Sequence, residues 1–597
     1  MNYDLTEQRK AYIDARGYSI LMACPGSGTT TSIVYKLNVL IPEIERLCGG
    51  VGILCLSFTN KACEEIRAKF REMHSCSIKY PHLVATIDSF VNQYIILPFW
   101  QCYCNIKQYP KIINDKEILR KCYWIDNSDK EVLNSHFSRY TNEAYIYRPE
   151  EIYITKNGYR CGKVLVNQNN NNNLLEYFQC VIRYRFSKGI ITSSHALWIA
   201  IYLCKKNPQI AISLANRFKY IMIDEAQDTS ELQFDLFEII KKGGLENLEF
   251  IGDLNQSIYE WRDARPDFLH QLSCKEEWKI YNFTENRRST QNIIDLYSRL
   301  KPKGTPNIQS YQVTDLNIPI IFYRYDELGV PNVAKAFERQ CEQYCLNERL
   351  ILARGTKDIE RLSCKKSEVE VWKNRIPYRI IRAIIARDNN KISEAVEHYK
   401  WVIAEILHPN NISGMKVYLS EHDNPKFYSE ILCSLSSMPS LENSFAEWDK
   451  QTRNFLTKQY RLEYSLDFQI KKRMAGYTMN QLLQNKVSDY FGIDNENATQ
   501  AQTIHSVKGA SVDAILLFLD EKKTGQGISI ADIPSNIDTI KEMKEKERLI
   551  YVACSRAKQL VAIAVPQKVS EKSIKQRFGG LNISIENVSV QKNLFDS

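Results

Sequence analysis

Two apolar runs, each ending in acidic or amide side chains, restrict what this chain can fold into. The first, Tyr220 to Ile223, reads as a strand buried on both faces of a parallel sheet; it ends in Asp224 and Glu225, followed by Ala226, Gln227 and Asp228. In an open α/β sheet the carboxyl ends of the strands face the crevice where ligands bind, so the paired carboxylates are predicted to line a site. Adjacent carboxylates there can divide the work of nucleotide hydrolysis, Asp224 holding Mg²⁺ while Glu225 takes a proton from an attacking water. An amphipathic helix is predicted over Glu231–Lys241, then a turn at Gly243-Gly244 and a second strand, Leu248–Ile251, which breaks at Gly252 into GDLNQSIYEWRDA. A glutamine, two aromatics and an arginine directly after a strand suit a junction between a phosphate site and a stacked base.

Upstream, Tyr18–Cys24 is a predicted strand running into PGSGTTT and a helix over Thr30–Leu40. Cys24, Pro25, Gly26, Ser27, Gly28, Thr29, Thr30 and Thr31 then form a phosphate-binding loop, whose backbone amides converge on phosphate oxygens at the positive end of the helix. The pattern GxxxxGK[ST] requires lysine where Thr29 stands. Threonine is shorter and neutral, and loss of one transition-state donor costs about 2.7 to 4 kcal/mol, or 100- to 1000-fold in rate. Thr30, the Mg²⁺-ligand position, is retained. Nucleotide is therefore expected to bind weakly and to be hydrolysed poorly.

IDEAQD followed by IGDLNQSIYEWR resembles motifs II and III of the UvrD/Rep/PcrA group of superfamily 1 DNA helicases. Six further stretches extend the resemblance in the expected order. Gln8, in LTEQRKA, matches the glutamine that reads the adenine edge. Phe58, Thr59 and Asn60, after a strand over Val51–Phe58, match a motif lying on single-stranded DNA, while ATIDSF carries Asp88 where the group usually has histidine. In NFTENRRSTQNI, Arg288 matches the arginine that reaches the γ phosphate, and Arg287 stands where a tyrosine usually stacks on adenine; a guanidinium can also stack on a base. TIHSVKGASVDAILLFL places His505, Ser506, Lys508 and Gly509 at the expected spacing, with Ser511 in place of a common glutamate. EKERLIYVACSRAKQLVAI supplies Arg556 as the arginine finger.

The resemblance implies an α/β fold with two RecA-like P-loop domains, each a parallel sheet flanked by helices and each carrying a mainly helical insertion. The implied first core domain spans residues 1–98 and 187–280, with an insertion over 99–186; the second spans 281–365 and 480–597, with a short helical insertion over 366–479. ATP and Mg²⁺ are the implied cofactors. Asp224, Glu225, Gln256, Arg288 and Arg556 carry the chemistry, and Thr30 and Asp224 hold the metal. Gly509 joins the nucleotide pocket, and Tyr259, Trp261, Arg262 and His505 join Phe58, Thr59 and Asn60 on DNA, either single-stranded or at a junction with duplex.

Length and composition agree with these expectations. A chain of 597 residues exceeds one hydrophobic core and suggests roughly four domains or subdomains. Lys and Arg number 79 against 70 Asp and Glu, a net charge of +9 that is compatible with a polyanionic partner. The longest apolar run, Ala196–Cys204, is far below the roughly 18 residues of a membrane span, and the 17 cysteines lack paired zinc-type spacings, so a reduced, cytoplasmic protein without membrane attachment is expected. "NQNNNNN", Asn167–Asn173, reads as a surface loop. The retained acids, glutamine and arginines favour a competent motor with a single lesion at Thr29. The competing reading is a nucleotide-gated DNA-binding or scaffold subunit that controls a partner nuclease, by analogy with the helicase subunits of antiphage systems such as Gabija, which work with an OLD-family nuclease.

Overall fold

The apolar runs become the inner strands of the first of two large sheets. In the computed structural model, residues 5–47, 50–104, 109–127, 130–168, 172–258, 266–312, 317–326, 330–362, 371–409, 412–422, 424–471, 479–491, 501–520, 527–534 and 543–588 are described. The first sheet comprises β1 (Tyr18–Ala23), β2 (Gly52–Ser57), β3 (Leu83–Thr86), β4 (Phe218–Ile223), β5 (Asn247–Gly252) and β6 (Lys279–Phe283), in the order β6-β1-β5-β4-β2-β3, all parallel. Alternation along β4 explains why its sequence is apolar throughout. Tyr220 and Met222 enter the core on one face with Leu21 and Ile251, while Ile221 and Ile223 enter the other with Leu54 and Phe250. Helices α1 (Glu7–Ile13), α2 (Thr29–Leu47), α3 (Asn60–His74), α4 (Ser193–Lys206) and α5 (Glu231–Lys242) flank this sheet. The start of α5 is fixed by a capping box between Ser230 and Gln233.

Behind the sheet, Lys36 of α2 and Glu249 of β5 form an ion pair at 2.5 Å with no exposure of either side chain. Tyr220 donates to the same Glu249 Oε2 at 2.7 Å. Burial pulls the Lys36 ammonium below its ordinary range, and Glu249 opposes that shift.

Every strand of the first sheet precedes Thr284, and every strand of the second follows it. Beyond that crossing, β7 (Glu285–Asn286) pairs with β8 (Gln309–Ser310). The second large sheet is built from β9 (Ile320–Tyr325), β10 (Arg349–Ala353), β11 (Ala501–Thr503), β12 (Val512–Phe518), β13 (Ala557–Pro566) and β14 (Ile583–Val588), in the order β11-β10-β12-β13-β9-β14, again all parallel. Its faces are covered by α6 (Gln291–Ser298), α7 (Glu545–Cys554) and other helices. The molecule is thus an α/β protein of two helix-flanked parallel sheets.

Each lobe carries an inserted unit with its own core. The first packs Leu119, Tyr123, Phe137, Tyr177 and Phe178 around Arg185, which is fully buried and donates to Tyr123 Oη at 2.8 Å and to the carbonyls of Pro149 and Ile152. It also holds an antiparallel hairpin (Trp124–Asn127 with Lys130–Leu133) and a three-stranded sheet over Tyr153–Val166, which the sequence reading did not anticipate. Strands of three or four residues are too short to display an alternating pattern. Asn172 opens a helix rather than continuing the asparagine loop, and residues 169–171 lie outside the described ones.

The second insertion is helical, and its core runs from Val371 to Phe491, beyond the expected limit at 479, because Val487, Tyr490 and Phe491 pack against Phe445 and Tyr378. In its helix Ile392–Leu407, Ala395, Val396, Tyr399, Val402, Ile403 and Ile406 form the buried face, while Ile392, which opens the helix, is 43% exposed. Among the described residues every cysteine is free, and no helix is long and apolar enough to cross a membrane.

Candidate nucleotide site between the two lobes

The phosphate loop leaves β1 and turns into α2 at Thr29. Gly26 and Gly28 adopt φ of +73° and +79°. A Cβ on Gly26 would lie 2.5 Å from Arg288 Cβ and 2.7 Å from Asn286 Oδ1, so the close approach of the second lobe admits only glycine. Bonds from outside hold the loop: Cys24 N donates to Phe283 O at 3.1 Å, Arg287 N donates to Gly26 O at 2.9 Å, and Arg9 Nη2 donates to Ser27 O at 2.9 Å. Cys24 and Pro25 are buried, and Cys24 packs into the core of the second lobe. The Thr29 hydroxyl lies 3.3 Å from that of Ser27, so the lysine position contributes a hydroxyl and no charge. Thr30 and Thr31 follow in the first turn of α2, half-buried.

The acids stand beyond β4. Asp224 donates its N–H to Leu56 O at 2.8 Å, and its carboxyl is pushed up to about 8 by desolvation and by Glu225 beside it. Glu225 holds a left-handed backbone, φ +54°. Its Oε2 accepts from Gln227 Nε2 at 2.6 Å, and Gln227 Oε1 accepts from the Asp253 N–H at 3.1 Å. A Cβ on Gly252 would meet Gln227 Oε1 at 2.2 Å, so glycine at the end of β5 makes that link possible. Asp253 Oδ2 accepts from Gln256 Nε2 at 2.9 Å and, across the cleft, from Tyr551 Oη at 3.1 Å.

From the second lobe, Arg556 Nη2 donates to Gln256 Oε1 at 2.5 Å, and its Nε donates to Val552 O at 3.0 Å. Arg288 Nη1 donates to Ser555 O at 3.0 Å. Burial, then repulsion from Arg288, pulls the Arg556 guanidinium down to about 9, while Glu225 and Asp253 oppose that shift. Burial also lowers Arg288. Two desolvated cations facing carboxylates across one cleft form a receptor for a polyanion. Lys508 crosses the same gap, bonded to Asp228 and 3.5 Å from Glu225 Oε2. Gly509, immediately after it, turns in the left-handed region at φ +87°.

At the other end of the loop, Gln8 donates to Thr284 Oγ1 at 2.9 Å and accepts from Thr284 N at 3.1 Å. These bonds fix which end of the amide is which, and leave it one N–H and one lone pair. Among the described residues no group of three or more His, Cys, Asp or Glu side chains is arranged to hold a metal ion. Asp224 and Thr30, an oxygen acid and a hydroxyl, are side chains of the type that ligate a hard cation.

A groove of about 1610 Å³ runs between the first insertion and both lobes, with Phe58 and Asn255 in its wall. Lys116, Lys156, Arg160, Lys163, Lys544 and Arg548 line it, opposed by a similar number of carboxylates. Thr59 caps α3, accepting from Ala62 N at 3.2 Å, and Asn60 is exposed at the start of that helix. His505 is half-buried, its pKa lowered by burial, with Glu545 and Arg354 acting in opposite directions. Tyr259, Trp261 and Arg262 lie outside the described residues.

The structure thus brings Glu225, Gln256, Arg288 and Arg556 into one cleft beside the phosphate loop. The sequence reading left Gln227, Asp253, Tyr551 and Lys508 without roles. Only the pairing of Tyr551 with Asp253 and of Gln227 with Asp253, each distant in sequence, reveals the network. Residues 5–277 match the family described as UvrD/REP helicase N-terminal domain. A protein of Mycoplasma genitalium described as a probable DNA helicase II homolog is 21% identical, over 95% of this chain and 86% of that protein. ATP-dependent DNA helicase PcrA of Staphylococcus epidermidis is 23% identical, over 94% and 82%, and that of Staphylococcus aureus is 22% identical, over 94% and 83%.

Proposed function

We propose that this chain, which is similar to UvrD/Rep/PcrA-type helicases, couples ATP hydrolysis to 3′-to-5′ movement along single-stranded DNA and to duplex unwinding. The observation that carries this reading is the unbroken chain Glu225, Gln227, Asp253, Gln256, Arg556, which joins the acid-bearing lobe to the arginine-bearing one. In the proposed reaction a water attacks the γ phosphorus. Glu225 takes its proton, the bond from the γ phosphorus to the bridging oxygen breaks, and Arg288 and Arg556 neutralise the charge that develops. Thr30 and Asp224 would hold Mg²⁺, which when bound neutralises phosphate charge. Gln8 offers its remaining N–H and lone pair to the adenine edge, the pairing that suits N6 and N7.

Gln256 senses the γ phosphate through the same bonds that reach Arg556, so hydrolysis and lobe closure are coupled. Single-stranded DNA is assigned to the groove with Phe58 in its wall, where base stacking contributes about 1 to 3 kcal/mol per base regardless of sequence. Tyr259, Trp261, Arg262 and His505 are assigned to the same strand by resemblance. With Thr29 in the loop, binding outlasts hydrolysis.

The test is DNA-stimulated ATP hydrolysis by Thr29→Lys. A rise of about 100- to 1000-fold supports a motor with one impaired part. No rise, with single-stranded DNA still bound, favours the nucleotide-gated scaffold. Loss of DNA binding in the unsubstituted chain overturns both. The antiphage analogy adds an OLD-family nuclease as partner, which co-purification of the two proteins checks.

A further inference from the structure

Helix α4 presents a stripe of side chains that no step above uses. Ser194, Trp198, Tyr202 and Lys206 recur at every fourth residue, so they follow one side of the helix as it winds gently. Leu197, Ile199, Ala200, Ile201 and Leu203, between them, enter the core of the first lobe. Trp198 and Tyr202 do not: each is 39% exposed. Their rings are stacked, with centroids 5.9 Å apart and planes 9° from parallel. Offset parallel rings form steps, each leaving part of its face to solvent.

The steps stand on a packed base. Tyr103, at the end of the helix Leu97–Tyr103, meets the Tyr202 ring edge-on at 5.7 Å. Tyr103 in turn packs 5.8 Å from Trp100, which is buried. The Lys206 ammonium lies 5.7 Å from the Tyr202 ring centroid and carries the stripe on into positive charge. Charge along this part of the chain is one-sided. From Tyr177 to Ile223 there are seven Lys and Arg and no Asp or Glu, and Lys205 and Lys206 are exposed. The carboxylates of the packed neighbour α5, Glu231, Asp235 and Glu238, are already paired with Lys156 and Lys241. At its other end the stripe meets the groove, which Ser194 and Leu197 line. From Ser194 to Lys206 the helix runs about 18 Å.

We propose that this stripe is a second contact for single-stranded DNA, a track outside the cleft that takes up the strand where it leaves the groove. The proposal rests on the reading of the groove given above. Bases stack on the two rings and phosphates meet the two lysines, a combination that tolerates any sequence. A protein partner fits the stripe less well, because lysine is depleted where protein surfaces meet.

Fluorescence anisotropy of the full chain with labelled oligothymidylates of about 8 and about 30 nucleotides tests this, the shorter being within the span of one binding site. Trp198→Ala with Tyr202→Ala is expected to weaken the long strand about 10- to 100-fold and to leave the short one unchanged. Trp198→Phe with Tyr202→Phe is expected to stay within about threefold of the unsubstituted chain, since both positions keep a ring. Lys205→Gln with Lys206→Gln is expected to flatten the log-log salt dependence of the long strand by about 1.4. Unchanged long-strand affinity in the alanine pair overturns the track, and so does an equal loss on both strands, which makes the rings a support for the groove. Altered sedimentation of the alanine pair without DNA, at unchanged long-strand affinity, makes the stripe a protein contact and overturns the track as well. An unsubstituted chain that binds neither strand overturns the reading of the groove itself. Photocrosslinking by a long strand carrying 5-iododeoxyuridine is expected to mark the peptide containing Trp198 and Tyr202; labelling confined to other peptides overturns the track.

Discussion

At the scale of single residues, the cleft depends on atoms that have no substitute. Gly252 is one: the 2.2 Å approach of Gln227 Oε1 to its missing Cβ predicts that Gly252→Ala displaces Gln227 and detaches Glu225 from Asp253. In a Thr29→Lys background, hydrolysis is expected to fall about 10- to 100-fold in kcat with a smaller change in KM, because the residues that touch phosphate are untouched. His195 supplies a second prediction. Burial, and then Arg185, push it down to about 4 from an ordinary 6.5. Between those values the unfolded chain takes up a proton that the folded chain refuses, so stability is complete above pH 6.5 and falls as pH drops toward 4, by about 3 kcal/mol at the lower limit. The urea midpoint is expected to fall between pH 7 and pH 5, and His195→Gln to flatten that fall. The acids, the loop and the arginines were legible because each sits beside a strand end in a dense motif. Asp253 and Tyr551 were not, because their meaning lies in a bond between positions 298 residues apart.

At the scale of elements, the four inner strands of the first sheet could be read from the runs Tyr18–Cys24, Val51–Phe58, Tyr220–Ile223 and Leu248–Ile251, because parallel strands are covered on both faces. The ion pair of Lys36 and Glu249 interrupts that logic from inside the core. Lys36→Met leaves Glu249 buried without its cation and is expected to cost about 3 to 5 kcal/mol, measured by chemical denaturation. Lys36→Met with Glu249→Leu is expected to recover part of the loss; Tyr220 then keeps only its longer bond to Ala15 O, at 3.3 Å. The short antiparallel strands of the first insertion and the later limit of the second escaped the sequence reading for a shared reason. Both are set by packing against distant segments, such as Phe491 on Tyr378 and Arg185 among the carbonyls of Pro149 and Ile152.

At the scale of the whole molecule, the lobes meet through hydrogen bonds, ion pairs and the packing of Cys24 and Ile258 into the second lobe's core, and one backbone crossing joins them. Lys508 joins the second lobe to Asp228 and Glu225 of the first, so Lys508→Ala is expected to raise the radius of gyration in solution without nucleotide, while the unsubstituted chain stays closed. The groove balances its cations with carboxylates, so affinity for single-stranded DNA is expected to fall gently with salt, with a log-log slope no steeper than about −3. The crossing at Thr284 carries a consequence for timing. The same threonine that links the lobes is clamped through backbone and side chain by Gln8, which places the crossing inside the pocket proposed for the base. A swing of the lobes then disturbs the ligand at its hinge end, and a departing ligand loosens the hinge. Exchange of nucleotide and the opening stroke become a single kinetic event with a shared rate constant.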